Sequence, residues 1–376
     1  MKKLTSILLI LVIVFSIVAC GTKEKSDSSD TKEKGEERET ETEEKSEDAE
    51  KDEANAKDEG NGEAKRIGLV QINNTNSYYI GASEAFHKGA NDLGIELDEQ
   101  FAENSLEEEI SIIENFIELG YDMIIADPQD AEALEDVFQK GKDAGVIMVS
   151  LRSPMENADY NCLINHYNGF YGSAIACFEA LEGKGDVLLM QGQVGHEASD
   201  SRTEAFYDVL ELYPDINLLD TQPCDWDPAK AVDVVDSWLS KYEHIDAILS
   251  ETDGATPAIV NAVENAQRLN EIKIAGNDGE KEMLEAMLEG KVIAEAFFGS
   301  QRDGYHCMVY ADAILRGVEV EKEVYLPLYA CCDPELQDLI KKNQPALLDK
   351  VSLCTPEEAM EMITDYSSEF VGMYDK

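Results

Sequence analysis

The sequence predicts an α/β protein of two doubly wound, Rossmann-like lobes joined by a hinge of three crossing segments. Three observations carry this. From Arg66 onward, apolar runs of five to seven residues alternate with amphipathic stretches of 12–18, the rhythm of a parallel sheet with crossover helices. The rhythm restarts once, past residue 165. The length of 376 residues, of which 43% are hydrophobic, exceeds one usual compact core and suits two lobes.

The chain opens on a different signal. Lys2 and Lys3 precede an apolar run from Ile7 to Val14 that continues to Val18. It is too short and too asymmetric for a spanning helix and reads as a secretory leader, 1–20. Ile17-Val18-Ala19-Cys20 is similar to a bacterial lipobox, in which Cys20 would be lipidated and become the new N-terminus. An ordinary leader or an uncleaved anchor that happens to contain Cys20 is the alternative. Residues 21–64 hold 18 acidic and 8 basic side chains and no aromatics. Such a segment cannot bury enough apolar surface to offset its ordering entropy, so 21–65 is expected to be a solvated acidic linker with a reach of roughly 35–40 Å.

The first lobe is expected over 66–165. Ile67–Ile72 reads as a strand, Ser77–Leu93 as a helix, Ile95–Phe101 as a strand and Leu106–Leu119 as a helix. Tyr121–Asp127 is a buried strand, Ala131–Ala144 a helix and Val146–Leu151 a strand. The second lobe, 166–298, repeats the scheme. Helices are expected at Gly169–Leu181, Ser201–Leu212, Ala229–Lys241, Pro257–Ala266 and Lys281–Leu288. Strands are expected at Asp186–Met190, Asn217–Thr221, Ile245–Ser250, Ile272–Ala275 and Val292–Phe298. A helix at Tyr305–Leu315 and a strand near Val318–Leu326 return to the first lobe (299–327). Residues 328–376 form a C-terminal segment with a helical extension that could pack across both lobes. Two like lobes with crossed connections leave a cleft, and ligands of open α/β sheets sit beyond the carboxyl ends of the strands.

Charge and cysteines narrow the function. The formal net charge of −48, from 79 acidic and 31 basic residues, opposes nucleic-acid binding. Beyond Cys20 there are Cys162, Cys177, Cys224, Cys307, Cys331, Cys332 and Cys354, with no C-x-x-C and no zinc spacing. They read as buried apolar thiols, with pairing of some outside the cytoplasm left open. No metal or other cofactor is expected. His87, His166, His196, His244 and His306 are scattered, and H-E-x-x-H, G-x-S-x-G and P-loop motifs are absent, so binding is expected rather than catalysis.

Several ordered segments, each following an expected strand, then point one way. They are Ile67-Gly68-Leu69-Val70 with Asn76-Ser77-Tyr78-Tyr79, Ala126-Asp127-Pro128-Gln129-Asp130, and Val149-Ser150-Leu151-Arg152. Met190-Gln191-Gly192 through Arg202 to Phe206, Gln222–Asp227, Glu251-Thr252-Asp253 and Ala275–Gly279 follow. In this order, from about Arg66 to Leu328, the chain resembles the periplasmic sugar-binding proteins of the ribose-binding type. The resemblance implies a type I periplasmic binding fold and a lipid-anchored, extracytoplasmic, monomeric solute-binding protein that serves the permease of an ABC importer. Presentation of ligand to a membrane sensor or chemoreceptor is the alternative. A transcription regulator of this fold would carry a basic helix-turn-helix where this chain has its leader and acidic tail.

Sugar chemistry selects the candidate residues. The C–H faces of a sugar pack on rings and its hydroxyls need donors and acceptors. Tyr78, Tyr79 and Trp226 could sandwich a ring, and Phe298 could close the site near the crossing. Arg152 offers a five-donor fork. Asp253 and Asp278 are acceptors, and Asn76 and Thr252 do both. Each has a plainer reading: Tyr78 and Tyr79 as core, Asp278 as a turn former, Asp253 as a helix cap, Arg152 as a surface ion pair. Arg202 is read as bracing its helix. Three departures from the family pattern shape the ligand: Leu151 where an aspartate is common, Asp200 where an arginine is expected, and Phe298 in place of a late glutamine. They imply a neutral hexose or polyol, or an amino sugar paired with Asp200. The hinge is expected near Asn165, Gly299 and Leu326.

Overall fold

The computed structural model describes residues 64–375. The expected leader, the Cys20 lipidation site and nearly all of the acidic linker lie outside the described residues. The described chain begins β1 (Arg66–Gln71), α1 (Ser77–Leu93), β2 (Glu96–Phe101), α2 (Leu106–Glu118), β3 (Met123–Ala126), α3 (Ala131–Asp143), β4 (Ile147–Arg152), β5 (Tyr160–Leu163). It continues α4 (His166–Ala180), β6 (Lys184–Gln191), α5 (Glu197–Leu212), β7 (Asp215–Pro223), α6 (Pro228–Lys241), β8 (Ala247–Ser250), α7 (Thr256–Asn265), β9 (Lys273–Asp278), α8 (Lys281–Leu288) and β10 (Ala294–Phe297). Then come α9 (Ser300–Leu315), β11 (Glu323–Tyr325), β12 (Tyr329–Cys332), α10 (Pro334–Asn343), a 3-10 turn (Pro345–Asp349), β13 (Ser352–Cys354) and α11 (Pro356–Thr364).

Two sheets result. The first has the order β11-β5-β4-β3-β1-β2 and the second β13-β12-β10-β9-β8-β6-β7. All pairs are parallel except β10 with β12. Stripped of the added edge strands, both sheets have the order 2-1-3-4-5, so the connections diverge between β1 and β3 and again between β6 and β8. Those two switch points are where such sheets bind ligands.

Local sequence explains the elements. The four side chains of β3, Met-Ile-Ile-Ala, are all buried, as a central parallel strand requires. The edge strand β2 is polar and half-exposed instead. Asn76 caps α1 through a 2.9 Å bond from the Tyr78 amide, and Gly94 ends it in a left-handed turn at φ 71°. Ser105 caps α2, whose first turn carries Glu107, Glu108 and Glu109 at the positive end of the helix. The strand β5 and the pair β12 and β13 are too short to read as strands from periodicity. They extend the two sheets all the same, so the C-terminal segment is not only helical.

The chain crosses between lobes where β5 leads into α4, where β10 leads through Phe298 and Gly299 into α9, and where β11 leads to β12. Gly299 adopts φ 73°, a turn that only glycine makes cheaply. A fourth pass goes beyond the expected three. After α11, which packs on α8 and α9, the tail returns to the first lobe. Phe370 is fully buried in a cluster with Tyr78, Phe298 and Tyr305, and the Tyr374 hydroxyl lies 3.0 Å from His306 Nε2. Arg302, itself inaccessible to solvent, ties the passes together. It donates to the carbonyls of Phe298 at 2.6 Å and Pro327 at 3.0 Å, and to the Glu369 carboxylate at 2.8 and 2.7 Å. The seven cysteines among the described residues are free and buried.

Candidate functional site

The carboxyl ends of the strands at the two switch points face each other across a cavity. Its lining comes from both lobes: Asn76, Tyr78, Tyr79, Asp127 and Arg152 from the first, and His196, Ala198, Arg202, Trp226, Thr252 and Asp278 from the second. His166, at the start of α4 just past the first crossing, also lines it.

The first-lobe wall is built around one guanidinium. Arg152 ends β4 at φ 66°, an unfavourable backbone for a side chain with a Cβ. It donates from Nη1 to Asp127 at 2.6 Å and from Nε to Asp303 at 2.7 Å, and from Nη2 to Gln71 at 3.4 Å. The rings of Tyr78 and Tyr79 lie 4.9 and 5.3 Å from its central carbon, and the Tyr78 hydroxyl donates to Asp303 at 2.9 Å. Burial works against the charge on Arg152, but Asp303 and Asp127 outweigh it and hold the guanidinium charged. Burial pushes Asp127 up even so.

The second-lobe wall is built around Arg202 on α5. Its Nη1 donates to the Glu251 carbonyl at 2.6 Å, its Nη2 to His166 Nδ1 at 2.9 Å, and Asp278 lies 3.5 Å away. Asp278 accepts from Thr252 Oγ1, the Asp253 amide and Asn277 Nδ2. His196 caps α5, its Nδ1 accepting from the Ala198 amide at 3.2 Å, and its ring meets Trp226 edge-on at 5.6 Å. Trp226 follows β7 in a left-handed pair with Asp225, φ 58° and 52°. The six-membered ring of its indole fills the space beside Gly192, where any added Cβ would overlap it. Gly192→Ala is therefore expected to push Trp226 out of its slot. The indole emission should shift to the red with the unfolding midpoint little changed; an unshifted spectrum would show that the ring does not need the glycine.

Not every expected residue lines the cavity. Asp200 sits on the outward face of α5, exposed, where it accepts from the Gly195 amide at 3.0 Å; one helical step of about 100° separates it from the buried Ser199. Asp253 lies behind the cavity and accepts the amides of Gly279 and Glu280, so it shapes the entry to α8. Phe298 is buried under the wall, edge-on to Tyr78 at 6.0 Å and to His166 at 6.4 Å. Conversely, Asp127, His166, His196 and Arg202 line the cavity without having been assigned to it. Asp127 stood in a segment already singled out after a strand, and that position was the available signal. Asp303, the counter-ion of Arg152, comes from 151 residues further along the chain and has no sequence signal.

A group of buried acids lies behind the second-lobe wall and the hinge. Glu280 accepts from the amide and hydroxyl of Ser300 at 3.1 and 3.0 Å, and burial raises it to about 7. An acid raised on folding contributes stability while protonated, in full below its unfolded value of about 4.3, and loses it as pH climbs through 7. Glu280→Gln is therefore expected to gain on the wild type between pH 5 and pH 8, by on the order of 3 kcal/mol. Urea unfolding at the two pH values measures this. A constant difference would show that Glu280 stays ionised.

Comparison with known proteins agrees with the architecture. A model of the periplasmic binding protein domain matches residues 67–319. A xylitol-binding protein of Mycolicibacterium smegmatis is 26% identical over 270 residues, covering 71% of this chain and 76% of its own. The ribose import binding protein of Bacillus subtilis is 24% identical over 264 residues, covering 70% and 85%. Among solved structures, an ABC transporter periplasmic solute-binding protein of Actinobacillus succinogenes with bound D-allose superposes with a TM-score of 0.68 at 24% identity, over 73% of this chain and 99% of that one.

Proposed function

The chain belongs to the periplasmic binding protein domain family, and from that premise we propose that it is an extracytoplasmic, lipid-anchored solute-binding protein that delivers a neutral sugar or polyol to an ABC importer. The single observation that carries the reading is the cavity between the lobes, where aromatic rings and hydrogen-bonding side chains from both switch points converge. The named relatives bind xylitol, ribose and allose, which supports the ligand class and favours binding over catalysis. The charges support neutrality: Arg152 is matched by Asp127 and Asp303, and Arg202 faces Asp278. An amino sugar loses the partner first assigned to it, because Asp200 is at the surface.

In this reading Asn76, Tyr78, Tyr79, Asp127 and Arg152 hold one side of the ligand, and His196, Arg202, Trp226, Thr252 and Asp278 the other, with His166 at the hinge. Bonds to both lobes coexist only when the cleft is closed, so ligand shifts the population towards closure. The closed form is what the permease recognises. The lipid anchor rests on Cys20 in its lipobox-like context, and the acidic segment acts as a spacer from the membrane.

A thermal-shift screen over sugars and polyols tests the ligand class. A ligand at a hundredfold excess over Kd stabilises by about 2.7 kcal/mol, and Trp226→Ala is expected to weaken the best hit by about tenfold or more. Stabilisation by amino acids or sugar phosphates, and by no neutral sugar or polyol, would overturn the reading. Labelling by a fatty-acid analogue, abolished in Cys20→Ala, tests the anchor separately.

A further inference from the structure

The second-lobe wall holds an excess of donors. Four buried nitrogens of cavity-lining side chains make no hydrogen bond within the protein among the described residues: His166 Nε2, which has the Glu197 carboxylate at 3.9 Å, His196 Nε2, Arg202 Nε and Trp226 Nε1. Their protonation follows from the bonds next to them. His166 Nδ1 accepts from Arg202 and His196 Nδ1 accepts from the Ala198 amide. In a neutral imidazole the proton is then on Nε2. Both rings are neutral, since burial pushes His166 well below its usual value and His196 down to about 4, with Arg202 adding to the effect in each. All four groups are therefore N–H donors.

The acceptors on the same wall are largely taken. Asp278 receives Thr252, the Asp253 amide and Asn277, with Arg202 at 3.5 Å. Across the cleft, Asp127 receives Arg152 at Oδ2 and Asn76 Oδ1 receives the Tyr78 amide, so the acceptor sites still open lie on the first-lobe wall. Thr252 Oγ1 accepts from the Gly254 amide while donating to Asp278. A ligand hydroxyl set against this wall can accept from the free N–H groups, but it brings a proton of its own that finds few acceptors. A carbonyl oxygen accepts two bonds and brings none. A buried donor left unpaired is costly, so the wall discriminates by counting protons.

We propose that His166, His196, Arg202 and Trp226 select a neutral sugar derivative with a carbonyl oxygen turned to the second lobe, such as a lactone, a keto-polyol or an N-acyl sugar. This rests on the sugar-binding reading. A carboxylate has the same lone pairs but adds a negative charge to a site where Asp127, Asp303 and Asp278 already face two guanidiniums, and a protonated amine would set three more donors against a wall whose one lining carboxylate, Asp278, already receives three hydrogen bonds.

The test is calorimetry with matched sets: a cyclitol and its ketone, an aldose with its aldonolactone and aldonate, and an amino sugar with its N-acetyl form. The carbonyl member of at least one set is expected to bind about tenfold or more tighter than its hydroxyl, amine and carboxylate counterparts. His196→Phe, which keeps a ring against Trp226 but removes the N–H, and Trp226→Phe should each bring that ratio toward one. Ratios unchanged in both variants, equal or tighter binding of the hydroxyl parents, or preference for the aldonate would overturn the inference and leave the sugar-binding reading standing. Failure of every member to bind would overturn both.

Discussion

Replacing Arg152 by alanine is expected to cost both stability and ligand binding. The guanidinium neutralises two carboxylates, on Asp127 and Asp303, that are each 2% exposed. Breaking a buried ion pair by removing one partner strands the other, at a cost of about 3–5 kcal/mol. Part of the loss should return on acidification, because burial has already raised Asp127 and without Arg152 its proton is held more tightly still. The double variant Arg152→Ala/Asp127→Asn should be more stable than Arg152→Ala alone, since one of the two stranded charges is then gone. Ligand affinity should fall by about a hundredfold or more, because the rings of Tyr78 and Tyr79 lose the group they stack against. Urea unfolding at pH 5 and 7 with calorimetry checks each arm. A single variant as stable as the wild type at pH 7 would mean that water reaches Asp127 and Asp303 and that the wall is not sealed.

The same residue shows how much of the site was legible. Arg152 could be singled out because it ends an apolar strand, and strand ends in such sheets face the cleft. That reasoning also reaches Asn76, Trp226 and Thr252, in turns after strands, and Asp278, which ends β9. It stops where a side chain works from a helix. On α5, Ala198, Ser199 and Arg202 face inward while Asp200 faces water, and only the set of the helix against the sheet decides between them. Arg202 was read as a brace for its own helix. It does hold a backbone carbonyl, at Glu251, and from the same position it lines the cavity. His166 and His196 looked scattered because the fold, not the spacing, brings them to one hollow. Asp253 and Phe298 follow strands as well, yet one turns to neighbouring amides and the other packs under the wall. Ending a strand places a residue near the site without fixing which way its side chain points. The sheets themselves were legible wherever apolar runs were long. They were not legible at β5, β12 and β13, whose three or four residues carry too little periodicity to tell strand from loop.

The second large effect is expected at the hinge, with Arg302→Ala. This side chain is inaccessible to solvent, yet it sits among the carbonyls of Phe298 and Pro327 and the carboxylate of Glu369. It therefore joins the crossing from β10, the crossing from β11 and the returning tail. Loss of the guanidinium leaves two carbonyls unsatisfied and opens a cavity, mechanisms that together cost about 3 kcal/mol or more. Glu369 is a quarter exposed, so its own charge can be rehydrated, and Glu369→Gln should cost only about 1 kcal/mol. The two variants separate the ion pair from the carbonyl contacts. The tail should respond most. Phe370 and Tyr374 stay packed on α9 only while the backbone around Glu369 is held, so limited proteolysis of Arg302→Ala should cut within 365–375 well before the remainder of the folded chain unfolds. With the tail released, the hinge would turn on three passes instead of four, and the energy separating open from closed would change without any residue of the cavity being touched. Ligand affinity measured on Arg302→Ala and on a chain truncated after Thr364 should then move in the same direction and by a similar factor. Opposite shifts would show that Arg302 acts on the β10 and β11 crossings alone, with the tail a passive cover.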